Sequence, residues 1–158
     1  MVLSYGIIIL LTDARHIMNV MPDVVVKWGE TVAARGFAQV PNHLLQINNF
    51  LSEEHRLKPL ELLVLIELVG SWWKKNEPPF LSIKTIAFRC GASDRQVHRA
   101  IKQLEDVKLL ARTKRPRIRG IIASNAYDLS PLVATLKEIS EIYLNEHPRI
   151  LKKPTIEN

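Results

Sequence analysis

The stretch 81–110 constrains the fold more than any other part of the sequence, because two helical patterns meet there at a glycine. In the first pattern, Ile83, Ile86 and Ala87 recur at the spacing of one helical face. Gly91 interrupts this spacing, and glycine ends a helix without a steric penalty. The stretch therefore predicts a short helix that ends in a tight turn.

A second, longer helix is expected over 93–108, where apolar and basic residues lie on opposite sides. Ser93 predicts its start, because a serine side chain accepts a hydrogen bond from the free backbone N–H groups of a first turn. The apolar seam consists of Val97, Ala100, Ile101 and Leu104. The opposite face carries Arg95, Arg99 and Lys102. Such a helix can pack on a core and present long donors outward, so we expect a helix–turn–helix.

The positive charge of the chain is concentrated around these two helices. The 158 residues have a net charge of +6, yet residues 74–119 hold 13 Lys or Arg against 4 Asp or Glu, a local charge of +9. The stretches before and after this segment are slightly negative. A concentration of this kind favours a polyanionic partner.

The remaining composition argues against most kinds of catalytic or metal site. Cys90 is the single cysteine, which excludes an intramolecular disulfide and argues against a zinc site. The sequence contains no glycine-rich phosphate loop and no nucleophile elbow. We therefore expect a protein that is not an enzyme, with no metal or other cofactor and no small-molecule substrate. Cys90 itself is expected to be a small, half-buried filler in the turn.

The first 36 residues are expected to form a separate extension, either a strand or flexible. Residues 6–11 are apolar but too short to span a bilayer, and they lack the features of a signal peptide. We expect no membrane association and a cytoplasmic location. Residues 24–28 contain three successive valines, which predicts a short strand there.

Two elements are predicted between this extension and the helix pair. Pro41 predicts the start of one helix, and residues 60–73 are apolar on most sides, as is typical of a central core helix. Trp72 and Trp73 are expected at the end of the core helix, with one ring buried and the other half exposed. Residues 80–81 are expected to add a single rung of strand.

A β-hairpin is predicted directly after the second helix of the pair. Apolar residues at 109–111 and 121–129 flank a polar segment in which Pro116 and Gly120 mark a turn. The tip carries four cations, Lys114, Arg115, Arg117 and Arg119. A hairpin in this position is the wing of a winged helix, and a basic tip would lie over a phosphate backbone or enter a minor groove.

A final helix is expected from Ser130, a serine cap followed by Pro131 in the first turn. Its apolar seam is Leu132, Leu136, Ile139 and Tyr143. The seam suits either docking on the chain's own core or pairing with a second copy, and we expect a homodimer. The predicted fold is mainly α with a small β-hairpin: an N-terminal extension over 1–36, a winged helix–turn–helix domain over 37–129, and a C-terminal helix and tail over 130–158.

Two patterns in this domain carry a family resemblance. The first is Ser-x-Arg-x-Val-x-Arg-Ala-Ile-x-x-Leu at 93–104, and the second is Tyr-Asp-Leu-Ser-Pro-Leu at 127–132. With the helices before them, over 37–132, they resemble the winged helix–turn–helix module of phage and plasmid replication-initiation proteins and related small bacterial regulators. The family usually has a glycine between the second helix and the wing, and residues 106–110 contain none. The first 36 residues have no counterpart in the family.

The resemblance implies that the second helix is a recognition helix whose outward face contacts DNA. The helical wheel selects the same face. We expect Arg95, Gln96 and Arg99 to read base edges, since arginine pairs with guanine and glutamine with adenine. His98 flanks the apolar seam and is expected to pack there. Contacts to the DNA backbone are expected from Lys84, Ser93, Lys102 and Arg112, and from the wing cations Lys114, Arg115, Arg117 and Arg119.

These expectations lead to a sequence-specific double-stranded DNA-binding protein that controls transcription or replication in a bacterium or mobile element, associated with the nucleoid. Helix 93–108 would lie in the major groove, and wing 112–120 on the backbone or in the minor groove. Two alternatives stay open: a protein–protein interaction module that uses the winged-helix fold, or the DNA-binding part of a replication initiator. RNA is a weaker alternative, because aromatic residues make up only 6% of the chain.

Overall fold

The computed structural model describes residues 22–113 and 125–142, and within them the chain is mainly helical, which confirms the predicted fold class. The helices are α1 (Pro22–Trp28), α2 (Glu30–Ala33), α3 (Asn42–Leu45), α4 (Pro59–Gly70), α5 (Ile83–Cys90), α6 (Asp94–Asp106) and α7 (Ser130–Ile142). Short 3-10 helices span Ile47–Asn49 and Glu53–His55. The antiparallel strands are β1 (Ala111–Thr113) and β2 (Ala126–Asp128). The chain divides into two compact units, 1–37 and 38–158.

In the first unit, residues 24–28 belong to helix α1, so the strand predicted there is wrong. The backbone N–H of Gly29 donates to the carbonyl oxygen of Val25 over 2.8 Å and closes the last turn. A valine costs a helix only roughly 0.5 kcal/mol, and Pro22 suits a first turn. The helical backbone bonds outweigh that preference. Residues 1–21, with the apolar run at 6–11, lie outside the described residues.

The core of the second unit is built mainly by α4, α5 and α6, which all contact one another. Their fully buried side chains include Val64, Leu65, Leu68, Ile86, Val97, Ile101 and Leu104. Helix α4 is the central core helix that the sequence predicted, but it ends at Gly70, before the two tryptophans. Trp72 is partly buried against the core, whereas Trp73 is 79% exposed, more than predicted.

Helix α5 begins with a serine cap and ends at Gly91, as the sequence predicts for its end. Oγ of Ser82 accepts a hydrogen bond from the backbone N–H of Thr85 over 3.0 Å, which caps the first turn. Gly91 follows the last residue of the helix with φ of 61°, in the left-handed region. The backbone N–H of Ala92 then donates to the carbonyl oxygen of Ala87 over 2.9 Å. This closure is the Schellman motif, and it brings the chain directly to α6.

Lys108 ends α6 in the same way as Gly91 ends α5. Its φ is 58°, and Lys108 is the only residue other than glycine with a positive φ in the part of the chain that the structure describes. The backbone N–H of Lys108 donates to Glu105 and that of Leu109 donates to Leu104, both over 3.0 Å. These two bonds form a second Schellman motif. Lys108 therefore occupies a left-handed position that a glycine would adopt without a steric penalty.

Replacing Lys108 with glycine is expected to raise the free energy of unfolding by about 0.5–1 kcal/mol. A left-handed lysine costs roughly 1–2 kcal/mol, and glycine removes this cost. Part of the resulting gain in stability is offset by the greater freedom of glycine in the unfolded chain. The measurement is a urea titration, with a higher midpoint and an unchanged slope. Gly91→Ala is the matched control of opposite sign, expected to lower stability by about 1 kcal/mol. A lower midpoint for Lys108→Gly would contradict the argument.

The hairpin follows α6 directly, as predicted. Its register pairs Ala111 with Asp128, Arg112 with Tyr127 and Thr113 with Ala126. The backbone N–H of Tyr127 also donates to the carbonyl oxygen of Pro79 over 2.9 Å. Residues 80–81 belong to no strand or bridge, so the single rung predicted there is wrong. The hairpin tip at 114–124 lies outside the described residues.

Helix α7 begins at Ser130, but the group that caps it differs from the prediction. Oδ1 of Asp128 accepts hydrogen bonds from the backbone N–H and the hydroxyl of Ser130, over 2.9 and 2.6 Å. Ser130 therefore lies in the first turn together with Pro131, and the acceptor is the carboxylate before it. The dipole of a helix favours a negative charge at this position.

Helix α7 docks on the core of its own chain. Leu132 and Ile139, two residues of the predicted seam, are buried within the second unit. The helix contacts α3, where Nδ1 of His43 lies 2.9 Å from Oγ of Ser140. Of the two roles that the sequence left open for the seam, these contacts support docking on the core. None of the helices in the described ranges is long and apolar enough to cross a membrane.

Candidate nucleic-acid interface

Helix α6 has one buried side and one exposed side, as the sequence predicted. Val97, Ala100, Ile101 and Leu104 are buried. Arg95, Arg99 and Lys102 are all exposed on the opposite side, and we call them the cationic row. Their spacing of four and then three residues keeps them on one face of the helix. At a rise of about 1.5 Å per residue, the row is roughly 10 Å long.

Ion pairing distinguishes the cationic row from other cations near it. Arg89 pairs with Glu67 at 3.4 Å, and Arg112 pairs with Glu105 at 2.9 Å. Among the residues that the structure describes, no acid forms an ion pair with any member of the row. Unpaired cations on one face are free to form charge-assisted hydrogen bonds with an external anion.

A capping box, which the sequence analysis missed, closes the start of α6. The backbone N–H of Gln96 donates to Oγ of Ser93 over 3.3 Å, and the backbone N–H of Ser93 donates to Oε1 of Gln96 over 2.9 Å. The Ser93 hydroxyl donates to the same Oε1 over 2.8 Å. The signal was present in the sequence, since Ser-x-x-Gln is the spacing of a capping box.

The capping box changes what Gln96 and Ser93 can offer to DNA. To pair with adenine, Gln96 must accept a hydrogen bond from the base amino group through Oε1. Oε1 already accepts two hydrogen bonds from Ser93. Adenine recognition would therefore compete with the helix cap, which is worth about 1 kcal/mol. Both residues stabilise the start of the helix, and their DNA contacts stay predictions.

An ion pair connects the first strand of the hairpin to α6. The side chains of Arg112 and Glu105 are only 31% and 25% exposed, so their 2.9 Å contact is partly shielded from water. Arg112 also lies opposite Tyr127 in the hairpin. Its guanidinium therefore helps to orient the hairpin on the helix. The backbone contact predicted for Arg112 would have to be made in competition with Glu105.

Tyr127 is the buried anchor of this hairpin. Its side chain is fully buried, and burial raises the pKa of the phenol, against an opposing effect of Arg112 and with a further increase from Glu105. The hydroxyl has no hydrogen-bond partner among the described residues. Tyr127 lies opposite Arg112 in the hairpin, near the charge of Glu105 and within the core, so it links the hairpin, the core and α6.

Helix α5, which packs against α6, also has an exposed side. Lys84 is exposed there, as its predicted backbone contact requires, and lies one turn before Phe88. Phe88 is 88% exposed, and the sequence analysis did not single it out. Ile86 and Ala87, by contrast, are buried in the core. The spacing of the residues predicted to be buried in α5 places Phe88 on the exposed side of that helix.

His98 is a further exposed residue of α6, and the prediction that it packs on the apolar seam is wrong. It lies one turn from both Arg95 and Lys102, on the edge of the cationic row. A helical wheel drawn from the four buried positions places it there, because those positions occupy the opposite half of the helix. His98 therefore belongs to the surface that the cationic row presents.

Cys90 is half-buried at the end of α5, as expected. Burial raises the pKa of its thiol, and the nearby charge of Glu67 raises it further. The thiol is therefore protonated at neutral pH and is a poor nucleophile. Within residues 22–113 and 125–142, no group of three His, Cys, Asp or Glu is arranged to hold a metal ion.

Some of the predicted site residues lie outside the described residues: Lys114, Arg115, Arg117 and Arg119 of the wing tip, and Tyr143 of the α7 seam. Leu136, the remaining residue of that seam, is partly buried against the core. The contacts of the wing tip and the homodimer stay predictions.

Comparison with known proteins identifies the helix pair. Residues 55–110, which include α4, α5 and α6, match a family described as "Helix-turn-helix domain". A solved structure described as "N-Terminal domain of DNA binding protein" is 15% identical, with a TM-score of 0.36, over 70% of this chain and 89% of that chain. The search of curated proteins gave no match. The family match supports DNA binding, and residues 55–110 of this chain form a helix–turn–helix domain.

Proposed function

We propose that this protein binds double-stranded DNA at specific sequences and controls transcription or replication through that binding. The observation that carries the proposal is the cationic row of α6, which is exposed and has no ion-pair partner in the described residues. Helix α6 would lie in the major groove, which is wide enough for a helix. The hairpin would follow the backbone or the minor groove beside it.

Within the row, the two arginines would contact bases and the lysine would contact phosphates. Arg95 and Arg99 would pair with O6 and N7 of guanine through their planar guanidinium groups. Lys102, together with Lys84 on α5, would contact phosphates and position the helix. A row of roughly 10 Å spans about three base pairs at 3.4 Å each. One copy would therefore read a core of about three base pairs.

Selection of bound duplexes from a random DNA pool tests this function directly. We expect an enriched motif with guanines in a core of about three base pairs. If the protein binds as a homodimer, the core should occur twice as an inverted repeat, about one helical turn apart. A single core would indicate one copy per site. Enrichment of no motif would contradict sequence-specific binding.

A salt titration separates DNA binding from protein interaction. The logarithm of the association constant is expected to fall linearly with the logarithm of salt concentration, with a slope of about −2 or steeper, because Lys84 and Lys102 each release counterions. Lys102→Ala should make the slope shallower by about 1. Lys137→Ala, an exposed lysine of α7, is the control and should leave it unchanged. A flat titration would indicate an interface that does not bind phosphates.

A further inference from the structure

Phe88 is the most exposed large hydrophobic side chain in the described part of the chain, at 88%. Other exposed hydrophobic residues of the second unit, such as Trp73 and Ile142, lie outside the helix pair. Phe88 is the single member of this group on α5 or α6. A phenylalanine in this position contributes little to the core, because almost none of its surface is removed from water.

Phe88 has a lysine beside it on α5. Lys84 lies one helical turn before it on the same exposed side of α5, and residues at this spacing are neighbours on a helix surface. Gly91 follows within one turn and leads into α6, which carries the cationic row. The segment 74–119 has a net charge of +9. A partner that covers Phe88 therefore needs negative charge together with accessible apolar atoms.

Duplex DNA has both properties at the edge of its major groove. Phosphates line the groove, and the apolar atoms beside them are the C5-methyl group of thymine and the carbons of deoxyribose. Helix α5 packs against α6, the helix that the proposed function places in this groove. An aromatic ring beside a lysine is thus matched to a groove edge, where the ring covers apolar atoms while the ammonium binds a phosphate.

We propose that Phe88 and Lys84 form a second DNA-binding surface on α5, in which the Phe88 ring packs on apolar atoms at the edge of the major groove. This inference rests on the proposed function, because it requires α6 to occupy the same groove. It adds to that function a contact that involves no hydrogen bond. If the ring covers a thymine methyl group, the contact also contributes to sequence preference outside the core read by Arg95 and Arg99.

The test uses the full-length protein and the duplex that the wild type selects. Phe88→Ala is expected to weaken binding to this duplex about tenfold, since partial burial of a phenylalanine is worth about 1.4 kcal/mol, or a factor of ten. Phe88→Leu should retain most of the affinity. The thermal midpoint should be unchanged in both variants, because the residue is exposed. Trp73→Ala, which removes an exposed ring outside the helix pair, should bind like the wild type.

The same duplex with deoxyuridine in place of thymidine distinguishes the two apolar groups, because it lacks the C5-methyl group. If the ring packs on a methyl group, the wild type loses affinity for the deoxyuridine duplex and Phe88→Ala binds both duplexes equally. If the ring packs on deoxyribose, Phe88→Ala is weaker on both duplexes by the same factor. Either result supports the inference.

Unchanged affinity of Phe88→Ala would overturn the inference. The proposed function would remain if Arg99→Ala still weakened binding to the same duplex, and Phe88 would then be available to a different partner. If the wild type binds no duplex, the proposed function fails, and the inference fails with it. The two failures are therefore distinguishable by the behaviour of the wild type and of Arg99→Ala.

Discussion

Arg99→Ala is expected to lower the affinity for the selected DNA site by about 10- to 100-fold and the affinity for unrelated duplexes only a few-fold. A bidentate pair between arginine and guanine is worth about 1–3 kcal/mol of discrimination, and 1.4 kcal/mol corresponds to a factor of ten. Arg99 is exposed at the middle of the cationic row and forms no ion pair within the described residues. Its removal is therefore expected to cost DNA contacts and to leave folding unaffected.

Two matched variants show whether Arg99 reads a base or only contacts a phosphate. Arg99→Lys keeps the charge but loses the planar pair of donors, so it should bind unrelated DNA like the wild type and lose most of the discrimination. Lys102→Ala should weaken both kinds of binding by a similar factor. Fluorescence anisotropy at one fixed salt concentration measures the affinity of the wild type and of each variant for the selected site and for unrelated DNA. Equal losses of Arg99→Ala on the selected site and on unrelated DNA would contradict its assignment as a base reader.

Tyr127→Ala is expected to lower the free energy of unfolding by about 3–5 kcal/mol, the largest effect on stability that we expect from one substitution. The side chain is fully buried beneath the hairpin, and its removal would leave a cavity next to the core. Tyr127→Phe should leave the free energy of unfolding unchanged or raise it by up to about 1 kcal/mol. Its hydroxyl has no hydrogen-bond partner in the described residues, so phenylalanine loses no bond and avoids burying a polar group.

Urea titration of the two tyrosine variants separates packing from hydrogen bonding. If Tyr127→Ala does not fold, Tyr127→Phe still tests the argument, because it keeps the ring. A loss of more than about 1 kcal/mol in Tyr127→Phe would show that the hydroxyl makes a stabilising hydrogen bond, which contradicts our account. DNA affinity of the folded Tyr127→Phe protein should equal that of the wild type, since Arg112 and Glu105 still connect the hairpin to α6.

Local patterns were sufficient to predict the helix–turn–helix. The i, i+3, i+4 spacing and Gly91 identified α5 and the turn, and Ser93 identified the start of α6. The buried and exposed faces of α6 were correct because a helix of fixed period converts sequence spacing directly into sides. The error at residues 24–28 arose because β-branched residues carry only a weak preference against helix.

Interactions between residues far apart in sequence were not accessible in this way. The Arg112–Glu105 pair and the hydrogen bond from Tyr127 to Pro79 depend on how the hairpin returns to the core. From sequence spacing alone, Arg112 was expected to be a cation free to contact DNA. The α7 seam could likewise have paired with the same seam of a second copy, whereas Leu132 is buried within its own chain. Which of several suitable surfaces a side chain contacts is a property of packing.

The sequence by itself determined the helix–turn–helix, its basic outer face and the hairpin that follows, because these depend on helical period, capping residues and local charge. Only the tertiary structure decided which cations remain without a partner, since ion pairing depends on distances between separate elements. It also showed that Lys108 adopts a left-handed conformation at the end of α6 and that Phe88 on α5 is left uncovered. Both follow from the core, which determines where α5 and α6 end and which of their sides remain in water.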